Sequence, residues 1–331
     1  MSWYAVILAS MNNSLKVIDL SARSADRTGK SPCVLCLGNF DGVHSGHVAL
    51  LRQALKQKEI LSAQYPNIKS GVLTFTESTH KLLSNPSLHY ITDLDEKQKL
   101  FAEIGIDMVI ALDFSSVKNM SPQEFVDVIL KKNCNCIMTV CGFNFHFGAG
   151  GAGDHQTLLQ LMNGNSVTVP PVIINDTVVS STAIRTALTN GDVECANMLL
   201  GRPFGIESIV KHGRGVGNAL GFATINQHFK AGQLVPAHGV YASVCLIDGT
   251  PFPAISNIGV HPTFGDGGGV VCETHILDFS GDLYGKTVLT QLHTFIRPER
   301  KFDSPEQLSA EVQRNIVTAR QYFENNVAKK V

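Results

Sequence analysis

Up to about residue 190, short apolar runs alternate with stretches whose apolar positions recur every three or four residues. Cys33–Leu37, Gly71–Phe75, Met108–Leu112 and Ile137–Cys141 read as strands. After His47, the positions Val48, Leu51, Ala54 and Leu55 form a helical stripe. Ser121-Pro-Gln-Glu124 opens a further helix with an N-cap, a proline at the first helical position and a capping-box glutamate. Strands separated by helices pair in parallel, so this half is expected to be a doubly wound α/β sheet with its ligands at the strands' carboxyl ends. From Arg202-Pro-Phe-Gly205 the pattern changes. The runs Gly239–Ile247, Phe252–Ile258, Val270–Leu277 and Val288–Phe295 are separated by Gly, Pro and Asp turns, which predicts an antiparallel β-barrel. A closing helix is capped by Ser304-Pro-Glu-Gln307, with Leu308, Val312, Ile316, Ala319 and Phe323 as its apolar stripe. The expected organisation is an α/β domain over 1–188 and a β domain with a C-terminal helix over 189–331.

Length agrees with two domains, since 331 residues exceed a typical domain of roughly 100–200. Lys and Arg total 27 against 28 Asp and Glu, a net charge of -1, which argues against a nucleic-acid partner bound through a broad basic surface. With 44% hydrophobic and 17% charged residues the chain can bury a sizeable core. No apolar run reaches the roughly 18–20 residues of a membrane span, and Trp3–Ala9 lacks the basic flank and cleavage site of a signal peptide. A soluble, cytoplasmic protein without a membrane partner is expected. Eight cysteines in so long a chain are not a disulfide framework. Cys33 and Cys36 form C-x-x-C, but within an apolar strand they point to opposite faces and read as core. Cys134 and Cys136 lack a second ligand pair at zinc spacing and read the same way.

The most informative segment is Gly38-Asn-Phe-Asp-Gly-Val-His-Ser-Gly-His47, between a strand and a helix. There a parallel sheet presents free backbone N–H groups to anions. Gly38, Gly42 and Gly46 are expected to let backbone approach a phosphate and to tolerate positive φ. His44 and His47, three apart, are expected to share one helix face and to donate to phosphate oxygens. The segment is neither a Walker loop nor G-x-G-x-x-G. Far downstream, Ser180-Ser-Thr-Ala-Ile-Arg185 places hydroxyls and an arginine at a helix start, suited to a triphosphate whose developing charge Arg185 would neutralise.

In the second half, Gly213-Arg-Gly-Val-Gly217 is a glycine-rich loop suited to phosphate, followed by Gly221-Phe-Ala-Thr-Ile-Asn226. Thr224 and Asn226 alternate along an extended segment, so their oxygens point to one side, able to hold Mg²⁺ together with ATP. Glu273, in Glu273-Thr-His-Ile-Leu-Asp-Phe279, puts a carboxylate on an apolar alternating strand, a placement that asks for a reason.

G-x-F-D-G-x-H-x-G-H followed by S-S-T-x-I-R resembles the signature of the HxGH nucleotidyltransferases, in the form found in bacterial bifunctional riboflavin kinase/FAD synthetases. The resemblance implies that the first domain transfers AMP from ATP to FMN with release of pyrophosphate. It implies ATP phosphate handling by His44, His47, Ser181, Thr182 and Arg185, with Gly38, Phe40, Asp41 and Gly46 in the nucleotide loop. Gly142-Phe-Asn-Phe-His-Phe-Gly148 is similar to the family's flavin and nucleotide segment, pointing to Asn144, Phe145 and Phe147; an aromatic core strand is the plainer account of that stretch. In the second half, Leu199-Leu-Gly-Arg-Pro-Phe204, the Gly213–Gly217 loop, Gly221–Asn226, Glu273–Phe279 and Asp282-Leu-Tyr-Gly285 follow the order of a riboflavin kinase domain. By resemblance, Thr224 and Asn226 serve Mg²⁺–ATP and Glu273 is the general base for the riboflavin 5′-hydroxyl.

Departures temper the match. The family's T-F-x-P-H-P appears as Thr74-Phe-Thr-Glu-Ser-Thr79, without prolines or histidine and with an added Glu77. His146 and Asn218 stand where arginine is common, and Ala223 replaces a proline. The leading expectation is an enzyme that makes FMN from riboflavin and FAD from FMN, using ATP both times. A riboflavin kinase with a weakened or altered adenylyltransferase half is the second reading. A non-catalytic flavin-binding regulator is the third, opposed by the presence of Glu273, Thr224, Asn226 and both histidines.

Overall fold

The computed structural model describes residues 16–19, 31–76, 89–211, 222–260 and 269–327. The readings placed on Trp3–Ala9, Glu77–Thr79, Gly213, Gly217, Asn218 and Gly221 lie outside the described residues. The chain divides into two compact units between Ser181 and Thr182.

The first unit is built on six parallel strands: β1 (Lys16–Asp19), β2 (Cys33–Leu37), β3 (Lys69–Phe75), β4 (Met108–Leu112), β5 (Cys136–Gly142) and β6 (Ser166–Val169). Their order is β1-β4-β3-β2-β5-β6, so the direction of winding reverses between β2 and β5. Every residue of β2 is buried because both of its faces are covered. Leu35 and Leu37 face one core with Phe125, Leu130 and Leu158. Val34 and Cys36 face the other, under Leu51 and Ala54 of helix α1 (Ser45–Leu61) and Phe101 of α2 (Leu94–Ile104). Cys33 and Cys36 thus go to opposite cores. All eight cysteines are free, seven of them are buried, and burial raises the Cys36 thiol pKa strongly, so Cys33 and Cys36 are packing residues. Pro122–Glu124 starts a helix with the expected capping box, but Phe125–Asn133 continues it in the wider π geometry, which the periodicity does not reveal.

The second unit contains β7 (Phe204–Ile209), β8 (Thr224–His228), β9 (Gly239–Ile247), β10 (Thr250–Val260), β11 (Val270–Ile276) and β12 (Thr287–Pro298). These form one antiparallel sheet in the order β7-β12-β9-β10-β11-β8. It curls until Lys211, just past β7, bridges Asn226 of β8, with the Lys211 N–H donating to the Asn226 carbonyl at 2.9 Å. Inside lie an apolar layer, including Ile225, Ile247, Ile276 and Val288, and a polar layer. In the polar layer the Ser256 hydroxyl bonds those of Ser243 (2.7 Å) and Thr274 (2.8 Å), and the Thr290 hydroxyl donates to Gln227 Oε1 at 2.6 Å. Helix α3 (Ser181–Thr189) straddles the division, and α4 (Val193–Leu200) follows it. The closing helix α5 (Pro305–Val327) packs Val312, Ile316, Ala319 and Phe323 against Ala242 and Ile255. Its Glu311 is also buried, ion-paired to Arg297 (3.2 Å), Arg314 (2.9 Å) and Arg300.

Candidate active sites

The winding reversal between β2 and β5 is where an open parallel sheet leaves a crevice at its carboxyl end. Two of the expected segments leave the sheet there: Gly38–His47 after β2 and Gly142–Phe147 after β5.

His44 is the N-cap of α1 rather than a helical residue, and its Nδ1 accepts the His47 N–H at 3.3 Å. With Nδ1 accepting, the neutral ring carries its proton on Nε2 and presents a donor there. The two imidazoles stack with centroids 3.6 Å apart and planes at 15°. They converge as expected, through a cap and a first-turn residue instead of one helical face.

The glycines differ from the expectation. Only Gly42 of the three has positive φ (86°), while Phe40 (52°) and Val43 (39°) adopt it without being glycine. For a bulky residue this conformation costs about 1–3 kcal/mol and needs support from its surroundings. Gly38 and Gly46 instead make room for rings: a Cβ at Gly38 would lie 3.2 Å from the Phe40 ring, and one at Gly46 3.1 Å from that of His44. Phe40 is fully buried, edge-on to Phe101 at 5.5 Å. The Asp41 carboxylate accepts the N–H groups of Ile91 (2.9 Å) and Thr92 (3.1 Å), so it braces the loop from inside.

Ser181 joins this loop from far along the chain, its hydroxyl donating to the Asp41 carbonyl at 2.8 Å. Thr182 and Arg185 lie on the helix that Ser181 opens and belong to the second unit. After β5, side chains alternate: Phe147 is buried against Phe125, Phe145 is half-buried and stacked on Phe147, while Asn144 and His146 are exposed. Phe145 and Phe147 therefore belong to the core, as the plainer account of the stretch holds, and Asn144 and His146 are its accessible polar groups.

In the second unit, Glu273 lies on β11 opposite Asn226 of β8 and, on its other side, Asn257 of β10. Thr224 donates its hydroxyl to Glu273 Oε1 at 2.7 Å. Thr224, Asn226 and Glu273 are half-buried on one outward face, as the alternation requires. The residue before Thr224 is held by His275, whose Nδ1 lies 2.9 Å from the Ala223 carbonyl oxygen. The neighbouring Cys272 points inward, and burial pushes its thiol up to about 11. Asp282 accepts the Tyr284 N–H at 2.9 Å and Gly285 has φ 76°, so Asp282–Gly285 is a turn leading into β12. Among the described residues no His, Cys, Asp and Glu cluster is able to hold a metal by itself. Thr224, Asn226 and Glu273 nevertheless offer the oxygen donors that a hard cation takes when a nucleotide's phosphates complete its shell. Asn257, Thr92 and Lys97 are site neighbours that the motifs do not pick out. Only tertiary pairing brings them in.

A nucleotide-type crevice on a parallel sheet and a carboxylate–hydroxyl pair on a curled barrel define a two-domain transferase of the nucleotidyl and phosphoryl kind. Comparison with known proteins makes the class specific: residues 26–183 match the FAD synthetase family and residues 200–323 the riboflavin kinase family. The bifunctional riboflavin kinase/FMN adenylyltransferase of Listeria monocytogenes is 35% identical over 296 residues, 88% of this chain and 92% of that protein. The Escherichia coli protein of the same description is 35% identical over 297 residues, covering 88% and 93%. The chain belongs to the bifunctional riboflavin kinase/FMN adenylyltransferase family. A Streptococcus pneumoniae crystal structure described as a macrolide-efflux protein is also similar, with TM-score 0.82, 31% identity, and coverage of 92% of this chain and 99% of that one. Among the described residues no helix is long and apolar enough to cross a membrane.

Proposed function

We propose that the chain phosphorylates riboflavin to FMN in its second unit and adenylylates FMN to FAD in its first, consuming ATP in both. The observation that carries this reading is that each unit has its own group suited to a phosphate or hydroxyl substrate. The first has the stacked His44 and His47, and the second has Glu273 with Thr224. In the first unit, FMN's phosphate attacks the ATP α-phosphorus and pyrophosphate leaves. His44 and His47 donate to the oxygens on which charge builds, with Ser181 on the triphosphate. In the second, Glu273 takes the proton of the riboflavin 5′-hydroxyl as that oxygen attacks the γ-phosphorus, the bond to the β–γ bridging oxygen breaks and ADP leaves. Thr224 orients the carboxylate by its 2.7 Å hydrogen bond. Thr224 and Asn226 would hold Mg²⁺ with ATP, and the cation supplies charge neutralisation on the phosphates when bound. Chromatography of flavins after incubation with riboflavin, ATP and Mg²⁺ tests the reading. FMN followed by FAD is expected, and neither product from a folded chain overturns it.

The kinase domain is proposed to begin at residue 189. A fragment from 189 onward is expected to phosphorylate riboflavin, and one from 182 onward to melt higher. The longer fragment keeps Leu188, whose carbonyl accepts the Ala237 N–H at 2.9 Å. An insoluble or inactive 189–331 fragment beside an active full chain would move the boundary.

The second reading, a weakened adenylyltransferase, is favoured by Thr76-Glu-Ser-Thr79, which follows the carboxyl end of β3. A carboxylate near anionic substrates repels them, and serine is a shorter donor than histidine. Replacing Glu77-Ser-Thr79 by Pro-His-Pro is expected to lower KM for FMN or ATP in FAD formation without altering the kinase. Efficient wild-type adenylylation at low micromolar substrate, with no gain on replacement, would exclude this reading.

A further inference from the structure

We infer that Lys97 is a positioning residue for adenylyl transfer, holding the carbonyl of Asn39 turned into the protein and away from the ATP phosphates. The inference rests on the adenylylation reading above. Lys97 is a buried lysine on α2, and its ammonium donates to the Asn39 carbonyl oxygen at 2.9 Å. The Thr74 hydroxyl, on β3, donates to the same oxygen at 3.1 Å. Two buried donors on one loop carbonyl fix the plane of the Asn39–Phe40 peptide. In a trans peptide the next N–H points opposite to the carbonyl, so the Phe40 N–H is turned away from Lys97. A loop that receives phosphate needs its carbonyls held this way, because a carbonyl oxygen facing an anion repels it.

The rest of the same segment grips the same loop. Phe101, one turn after Lys97 on the same helix face, packs its ring edge on Phe40. Ile91 and Thr92, just before α2, donate their N–H groups to the Asp41 carboxylate, and the Thr92 hydroxyl accepts the Gly42 N–H at 2.8 Å. Residues 91–101 therefore clamp a loop whose Phe40 and Val43 sit in the left-handed region without being glycine. Lys97 also brings a cation to the back of the phosphate loop.

Lys97→Met in the full chain keeps the length and apolar stem of the side chain and removes its donor and charge. A hydrogen bond to a charged group is worth a factor of about ten or more. KM for ATP in FAD formation is therefore expected to rise about tenfold, with KM for FMN within about twofold and riboflavin phosphorylation unchanged. Thr74→Val removes the neutral donor to the same oxygen, and a smaller rise in KM for ATP, about threefold to fivefold, is expected. Partial loss of folded protein lowers the apparent kcat and moves neither KM, so a drop in rate at unchanged KM for ATP would overturn the inference. If Lys97→Met does not fold, Thr74→Val decides by the same criterion. A wild-type chain that makes no FAD from FMN overturns the adenylylation reading itself. A wild-type chain that makes FAD, with both variants keeping their KM for ATP, overturns only the role of Lys97.

Discussion

Replacing His47 by alanine should lower FAD formation from FMN by at least about a hundredfold, the usual loss for one donor aimed at developing charge. Riboflavin phosphorylation by the same preparation should be unchanged. His47 sits in the first turn of α1, with its ring stacked on that of His44 at 3.6 Å, so the two edges serve one place. His44→Ala should have a similar catalytic effect with an added cost in stability, because His44 Nδ1 also caps the helix by accepting the His47 N–H. A lost N-cap typically costs ~1 kcal/mol, which a melting curve would register. His47→Ala is therefore the cleaner variant. Assaying both reactions separately decides the matter: equal loss of both activities in a folded variant would contradict two independent phosphate sites.

Glu273→Gln is the matching experiment in the second unit. Glutamine keeps an oxygen to accept the Thr224 hydroxyl at 2.7 Å, so the local arrangement between β8 and β11 should survive. It has no basic oxygen to take the proton of the riboflavin hydroxyl, and kinase turnover should fall by roughly 10²–10⁴. FAD formation from supplied FMN should persist. A kinase rate that barely moves would remove Glu273 from the role of base and leave it as a partner of Thr224.

Much of this architecture is legible from local pattern. β2, β4 and β9 fall on the apolar runs that predict them, and the capping box of Ser121 and the Ser304 cap of the closing helix stand where the sequence places them. What is not legible depends on partners far along the chain. β1 and β6 are short edge strands whose existence rests on pairing with β4 and β5. The glycines of the His44 loop look like phosphate-approach residues, yet Gly38 and Gly46 accommodate rings that only the folded loop brings over them. The bracing role of Asp41 is not legible in its motif, because Ile91 and Thr92 arrive from another segment. Lys97 carries no motif at all: a lysine at that spacing reads as a solvated helix residue until the fold places it under Asn39.

The buried hydroxyl layer of the barrel has a bearing on where the base can go. Thr274 is directly beside Glu273 on β11, and neighbours on a strand occupy opposite faces. If β11 slid by a single residue against β8 and β10, Glu273 would enter the interior and Thr274 would leave it. The slip would strip Ser256 of its Thr274 partner and strand a carboxylate among Ile225, Ile247 and Ile276. An unsatisfied hydroxyl costs about 1–3 kcal/mol, and a desolvated carboxylate costs several more. The serines and threonines inside the barrel, which never meet substrate, thus act as a lock on alignment, leaving the chain a single seating in which its acid reaches the surface.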